Sequence, residues 1–243
     1  MERLYNISKS LLSRVSFEFK RYLYDEIDWD LKLIAISGAR GCGKTILLLQ
    51  YLKSIASKKN TLYASLDDIY FSENKLVLFA EHFYQRGGEV LALDEVHKYP
   101  NWSQEIKNIY DTMPDLKVII TGSSAIEIQK GIYDLSRRAV VYELAGLSFR
   151  EFIELKYKIK FPAVKLEQIL SADNIINILV MESIKPLQYF DEYLQIGYYP
   201  FFIDNKRSYL KQLSSTINQV IETDIPAIYD IEFSSIIKIK KLL

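Results

Sequence analysis

Lys32-Leu33-Ile34-Ala35-Ile36-Ser37 runs directly into Gly38-Ala39-Arg40-Gly41-Cys42-Gly43-Lys44-Thr45. The first six residues are a short apolar run of the kind that forms a strand buried on both faces. The next eight fit G-x-x-x-x-G-K-[ST] at every position. From Thr45 to Ile55, Leu48, Leu52 and Ile55 recur at helical spacing, so a helix leaves the loop. The residue types have a chemical reason. Glycine allows backbone dihedrals that turn successive N–H groups inward, a nest for phosphate oxygens. The helix aims its partly positive N-terminus at the same point. In this frame Gly38, Ala39, Arg40, Gly41, Cys42 and Gly43 line the loop. Lys44 reaches the β- and γ-phosphates of a nucleotide, and the Thr45 hydroxyl ligates Mg²⁺. Cys42 reads as a small loop residue rather than a nucleophile. The chain holds only nine glycines, about half the usual share of ~7%, so three of them in one loop mark a backbone surface built for something.

Outward from the loop, strands and helices alternate. Thr61–Leu66 is an apolar run ending in Asp67-Asp68, and Leu76–Tyr84 a helical stretch closed by Gly87-Gly88. Glu89–Leu93 is a third strand ending in Asp94-Glu95, followed by a helix, Trp102–Asp111, stopped by Pro114. Leu116–Thr121 is a fourth strand, ending in Gly122-Ser123-Ser124, and Ala139–Leu144 a fifth. The expected fold is α/β: a five-stranded parallel sheet across residues 32–145 with helices on both faces. After Leu147 the pattern turns helical, over Ser148–Tyr157, Leu166–Ile169, Ile175–Val180, Leu187–Leu194 and Tyr209–Ile221. The domains are therefore expected at 1–147 and 148–243.

The third strand's acidic tip complements the loop. One carboxylate at a strand end beside a phosphate loop can hold the water shell of Mg²⁺, and an adjacent one, pointing differently, can polarise an attacking water. Asp94 takes the metal role and Glu95 the water role. Ser123 or Ser124 can offer a hydroxyl to phosphate or to the lytic water, although serines also cap helices. Arg138, the second of two arginines before the fifth strand, can stabilise transition-state charge in its own site or in a neighbour's, or simply sit on a solvated face. His97 and Lys98 read as surface residues. Asp67-Asp68 end the second strand away from the nucleotide, where they can face a substrate or a lid.

Composition closes off several classes. Hydrophobic residues make up 49% and charged residues 26% of 243 residues, a soluble globular mix with enough chain to bury a core. Lys+Arg and Asp+Glu are both 31, so bulk charge gives no support for nucleic-acid binding and leaves that question to local patches. One cysteine and two histidines leave no disulfide and too few soft ligands for a zinc centre. Met1–Phe17 has no apolar core of signal-peptide length, and no run of ~18 apolar residues occurs. The chain is expected in the cytoplasm, with no membrane partner.

These residues resemble a family of uncharacterised prokaryotic P-loop ATPases of the AAA superfamily. The resemblance rests on GARGCGKT (38–45), TLYASLDD (61–68), LALDEVHKYPNW (91–102), VIITGSSA (118–125) and LAGLSFREF (144–152), with weaker likeness in YLQIGYYP (193–200) and VIETDIP (220–226). It implies a P-loop ATPase domain of the additional-strand type, a helical lid, and a separate C-terminal domain that would begin where this sequence ends. It also implies ATP and Mg²⁺ as cofactors, with Lys44, Thr45, Asp94 and Glu95 in the roles above. Arg138 matches the family's arginine before the fifth strand, with Arg137 in place of the usual glycine. Gly197-Tyr198 replaces the usual double glycine before Tyr-Pro. The leading expectation is an ATPase that couples Mg²⁺-dependent hydrolysis to conformational change, acting as a homo-oligomer or on a protein partner. A nucleotide-gated switch with little hydrolysis and a P-loop kinase are the alternatives. Hydrolysis needs Glu95, which a switch can lack. A kinase wants several lid arginines, and the lid positions offer Arg150 and Arg207. A GTPase is disfavoured, since Asn74-Lys75 and Asn205-Lys206 both lack the following aspartate of Asn-Lys-x-Asp.

Overall fold

The computed structural model describes residues 1–123, 135, 137–162, 167, 186–203, 206–226 and 233–242. The five apolar runs form five strands: β1 (Leu33–Gly38), β2 (Thr61–Ser65), β3 (Val90–Asp94), β4 (Lys117–Ser123) and β5 (Val140–Glu143). They lie in the order β2-β3-β4-β1-β5, every neighbouring pair parallel. The α/β class expected from the sequence is the class observed. β4 stands between the loop strand and the acidic strand, so a chain segment far downstream in sequence sits at the centre of the sheet.

Period-2 alternation sorts the strand residues onto two faces. Leu33, Ala35, Leu62, Ala64, Leu91, Leu93, Val118 and Ile120 share one core with Leu76, Phe79 and Phe83 of α5 (Leu76–Gln85) and Ile106 and Ile109 of α6 (Trp102–Thr112). Ile34, Ile36, Tyr63, Val90, Ala92 and Ile119 share the other with Leu47, Leu48 and Leu52 of α3 (Lys44–Ile55). Each fully buried Leu, Ile or Phe contributes about 1.5–3 kcal/mol. Because β1 is buried along its whole length, its C-terminal end is a rigid platform for the loop that follows.

One element is not visible in the apolar pattern. Glu2–Arg14 forms a helix, α1, that packs on β2 and α3. β2 is an edge strand, and an open edge presents unpaired backbone groups to any passing chain. Ser8 of α1 answers this directly: its Oγ, buried, accepts the Tyr63 N–H at 3.1 Å. Arg3 adds a two-pronged pair to Asp68, at 2.7 and 3.0 Å. Asp68 is thus engaged by α1; its carboxyl sits below the ordinary range because of the Arg3 hydrogen bonds.

Contacts divide the chain into two compact units, Met1–Ala145 with Ser215–Leu243, and Gly146–Ser214. Ser215–Leu243 therefore groups with the first unit, whereas the sequence reading places it with the helices after 147. In the second unit, helix Phe149–Tyr157 begins with a capping box: Ser148 accepts from the Glu151 N–H while Glu151 accepts from the Ser148 N–H. Phe152 packs against Tyr193 of helix Pro186–Ile196 and against Phe202. The expected helices Leu166–Ile169 and Ile175–Val180 lie outside the described residues, as does Ser124. No helix among the described residues is long and apolar enough to cross a membrane.

Candidate functional site

The loop after β1 turns as its glycines allow. Gly41 and Gly43 hold φ of 83° and 101°, the left-handed region that other residues enter only at a cost. Gly43 caps α3, which starts at Lys44. Lys44 is 4% exposed, and its Nζ donates to the Gly38 carbonyl at 2.8 Å and the Ala39 carbonyl at 3.0 Å. Both hydrogen-bond acceptors of this buried ammonium are neutral carbonyls of its own loop. Cys42 is fully buried and burial raises its thiol pKa, which leaves a neutral thiol and no nucleophile.

Sheet register assembles the acidic side. Leu93 on β3 is level with Ile120 on β4, so Asp94 stands beside Thr121. The Thr121 hydroxyl donates to Asp94 Oδ1, and the Glu95 N–H lies 3.1 Å from the same oxygen. Asp94 Oδ2 accepts from the Thr45 hydroxyl at 2.6 Å and from the Tyr63 hydroxyl at 2.8 Å. Tyr63 reaches it because Tyr63 pairs with Ala92, two residues before Asp94 and on the same face. Burial, then the Asp94 charge, push the Tyr63 phenol far above its usual range, so it stays a donor. Four donors hold one buried carboxylate in a single orientation.

Glu95 departs from this arrangement at once. Its φ and ψ of 54° and 43° are left-handed, a conformation costing of order 1–3 kcal/mol for a non-glycine residue and typical of functional turns. The turn separates the two carboxylates: Asp94 lies against the sheet, whereas Glu95 is half-buried. Glu95 Oε2 is buried without a hydrogen bond, and His97 Nε2 lies 3.3 Å from it, near enough for an ion pair. Burial pushes the Glu95 carboxyl above its ordinary range; Lys44 opposes this, and the like charge of Asp94 adds to it. His97 is not the surface residue expected from sequence. Its side chain is 4% exposed, because the short 3-10 turn Val96–Lys98 folds it back beside Glu95.

The remaining expected site residues divide. Ser123, the last residue of β4, is level with Gly38, the first residue of the loop. Arg138 lies elsewhere. β5 runs parallel to β1 with Val140 level with Ile34, so Arg138 stands where β1 begins, roughly 20 Å along the strand direction from where it ends. There its guanidinium pairs with Asp111 at 2.9 and 3.0 Å and lies over the Tyr110 ring. Arg138 is not part of its own chain's site. Thr121, Tyr63 and His97 are the residues that motif reading missed.

A magnesium nucleotide fits what is present. The loop offers a glycine-turned backbone and a buried ammonium whose hydrogen-bond acceptors are neutral carbonyls. Thr45 and Asp94 place a hydroxyl and a carboxylate 2.6 Å apart, the hard oxygen donors that Mg²⁺ selects. The orphaned Glu95 oxygen is an acceptor in need of a donor.

A family model described as AAA domain matches residues 30–153. An uncharacterized protein of Methanocaldococcus jannaschii is 30% identical over 258 residues, covering 96% of this chain and 54% of that protein. One of Haemophilus influenzae is 29% identical over 165 residues, covering 62% of this chain and 39% of that protein. The chain thus spans about half, or less, of the length of these relatives. Among solved structures, AMPPCP-bound DnaA from Aquifex aeolicus is similar at 15% identity with a TM-score of 0.40, over 93% of this chain and 69% of that chain. The matched residues contain the phosphate loop, the acid pair and all five strands, and the chain belongs to the AAA domain family of P-loop NTPases.

Proposed function

We propose that the chain binds ATP with Mg²⁺ at Gly38–Thr45 and hydrolyses it to ADP and phosphate. The observation that carries this reading is the meeting of three side chains from two distant sequence regions at one loop: buried Lys44, the Thr45 hydroxyl, and Asp94 at 2.6 Å from it. Lys44 exchanges its two loop carbonyls for phosphate oxygens, a charge-assisted and therefore stronger pairing. Thr45 and Asp94 hold the metal. Bound Mg²⁺ supplies positive charge against the phosphates. Glu95 accepts a proton from the attacking water through Oε2, which accepts no hydrogen bond, the task of a general base. His97 positions that carboxylate from the side. Ser123 is level with Gly38 in the sheet register, which is what supports assigning it to the terminal phosphate.

Hydrolysis is favoured over a pure switch because Glu95 is both present and free of any hydrogen bond to Oε2. In this reading the change between nucleotide states is the output. Phosphate release from ATP, followed with Mg²⁺ and then with excess EDTA, tests it. Turnover that requires Mg²⁺ is expected; equal phosphate release in EDTA, or none with Mg²⁺ over a range of protein concentrations, contradicts hydrolysis at this site.

A further inference from the structure

Arg21 lies outside every motif and is 5% exposed. Its Nη1 donates to the Cys42 carbonyl at 2.6 Å, and its Nη2 donates to the Ala145 carbonyl at 2.8 Å. Cys42 belongs to the phosphate loop. Ala145 is the last residue of the first unit before the chain passes into the second at Gly146. One rigid guanidinium therefore spans the loop and the junction peptide.

A second, independent feature joins the same two segments. A Cβ at Gly38, the first loop residue, would fall 2.3 Å from the Leu144 carbonyl oxygen. The Leu144 N–H also donates to the Ser37 carbonyl at 2.8 Å. Loop and junction are thus in contact at the start of the loop, by close backbone approach, and at its middle, through Arg21. Beyond the junction, the Leu147 N–H donates to the Tyr198 carbonyl at 2.7 Å and the Leu147 carbonyl accepts from the Tyr193 hydroxyl at 2.7 Å. Leu147 is therefore fastened to the fold of the second unit.

Peptide geometry says what Arg21 does to the loop. In a trans peptide the C=O and the following N–H point in opposite directions. Holding the Cys42 carbonyl toward Arg21 therefore holds the Gly43 N–H away from it. Any anion that draws on the Gly43 amide turns the same peptide plane and moves the Cys42 carbonyl. The planar fork of arginine gives two donors in fixed relation, so movement at one carbonyl is felt at the other.

We infer that Arg21 is the positioning residue that ties the phosphate loop to the junction peptide Ala145–Gly146, so that nucleotide in the loop tightens the start of the second unit. This rests on the reading of the loop as a nucleotide site. Lysine at this position keeps the charge and loses the fork, and serves one carbonyl where arginine serves two.

Hydrogen–deuterium exchange of the full chain, with and without a Mg²⁺-bound non-hydrolysable ATP analogue, tests it. In the native protein the analogue is expected to slow exchange about tenfold or more in both 41–45 and 144–147. In Arg21→Lys the analogue still binds, exchange still slows in 41–45, and the slowing in 144–147 is lost. Slowing of both segments in Arg21→Lys, as in the native chain, overturns the role of Arg21. The native protein decides alone if the variant does not fold: slowing confined to 41–45 overturns the coupling while leaving the nucleotide reading standing. Slowing in neither segment overturns both.

Discussion

Glu95→Gln is expected to bind ATP as the native chain does and to lose turnover by roughly 10²-fold or more. Glutamine keeps the size of the side chain and its place in the left-handed turn after Asp94. It has no basic oxygen that can hold a proton taken from water. Binding is expected to survive because neither Lys44 nor Thr45 has a hydrogen bond to Glu95 in the network around Asp94. The substitution also removes a buried negative charge whose carboxyl burial already destabilises, so the folded chain is expected to be no less stable. Steady-state phosphate release, with a parallel binding titration, separates the two effects. Native turnover in Glu95→Gln would place the base elsewhere.

Arg138→Ala is expected to abolish a rise of specific activity with protein concentration, while leaving nucleotide affinity unchanged. An arginine delivered to transferring phosphate from a neighbour typically supplies ~10³-fold or more. Arg138 lies beside the start of β1, at the opposite end of the strands from its own loop, so the phosphate it can serve belongs to a second molecule. Asp111 and the Tyr110 ring keep the guanidinium on the surface. At low concentration the native chain and Arg138→Ala are therefore expected to hydrolyse ATP equally slowly, and to diverge as the native chain assembles. Turnover read across a dilution series, with mass in solution at each point, checks this. Concentration-independent activity, equal in both proteins, would reduce Arg138 to the partner of Asp111.

The parts of this site that were legible in the sequence are those whose residues are neighbours. Gly38–Thr45 and Asp94-Glu95 each declare themselves because glycine spacing, a lysine and paired acids fall within a few positions of an apolar run. The strands were legible because burial on both faces demands continuous apolar residues. Tyr63, Thr121 and Arg21 were not. Each is a single polar residue whose partner lies tens of residues away; register brings Tyr63 to Asp94 across β2 and β3 and Thr121 to it across β3 and β4, and Arg21 reaches the Cys42 and Ala145 carbonyls from outside the sheet. His97 was misplaced because a polar residue after a strand normally faces water, and nothing in the local pattern shows that Val96–Lys98 folds back. Helix α1 was hidden for a related reason. Its buried contacts include Ser8, whose hydroxyl serves an edge strand rather than an apolar stripe.

The most direct measurement is a titration of a fluorescent ATP analogue, with Mg²⁺, into the native chain and into Lys44→Ala. The native chain is expected to saturate. The variant is expected to bind about ten- to a hundredfold more weakly, the loss of a charge-assisted contact worth about 1.5–3 kcal/mol. Equal affinity in the two proteins would contradict the assignment of Gly38–Thr45 as the nucleotide site.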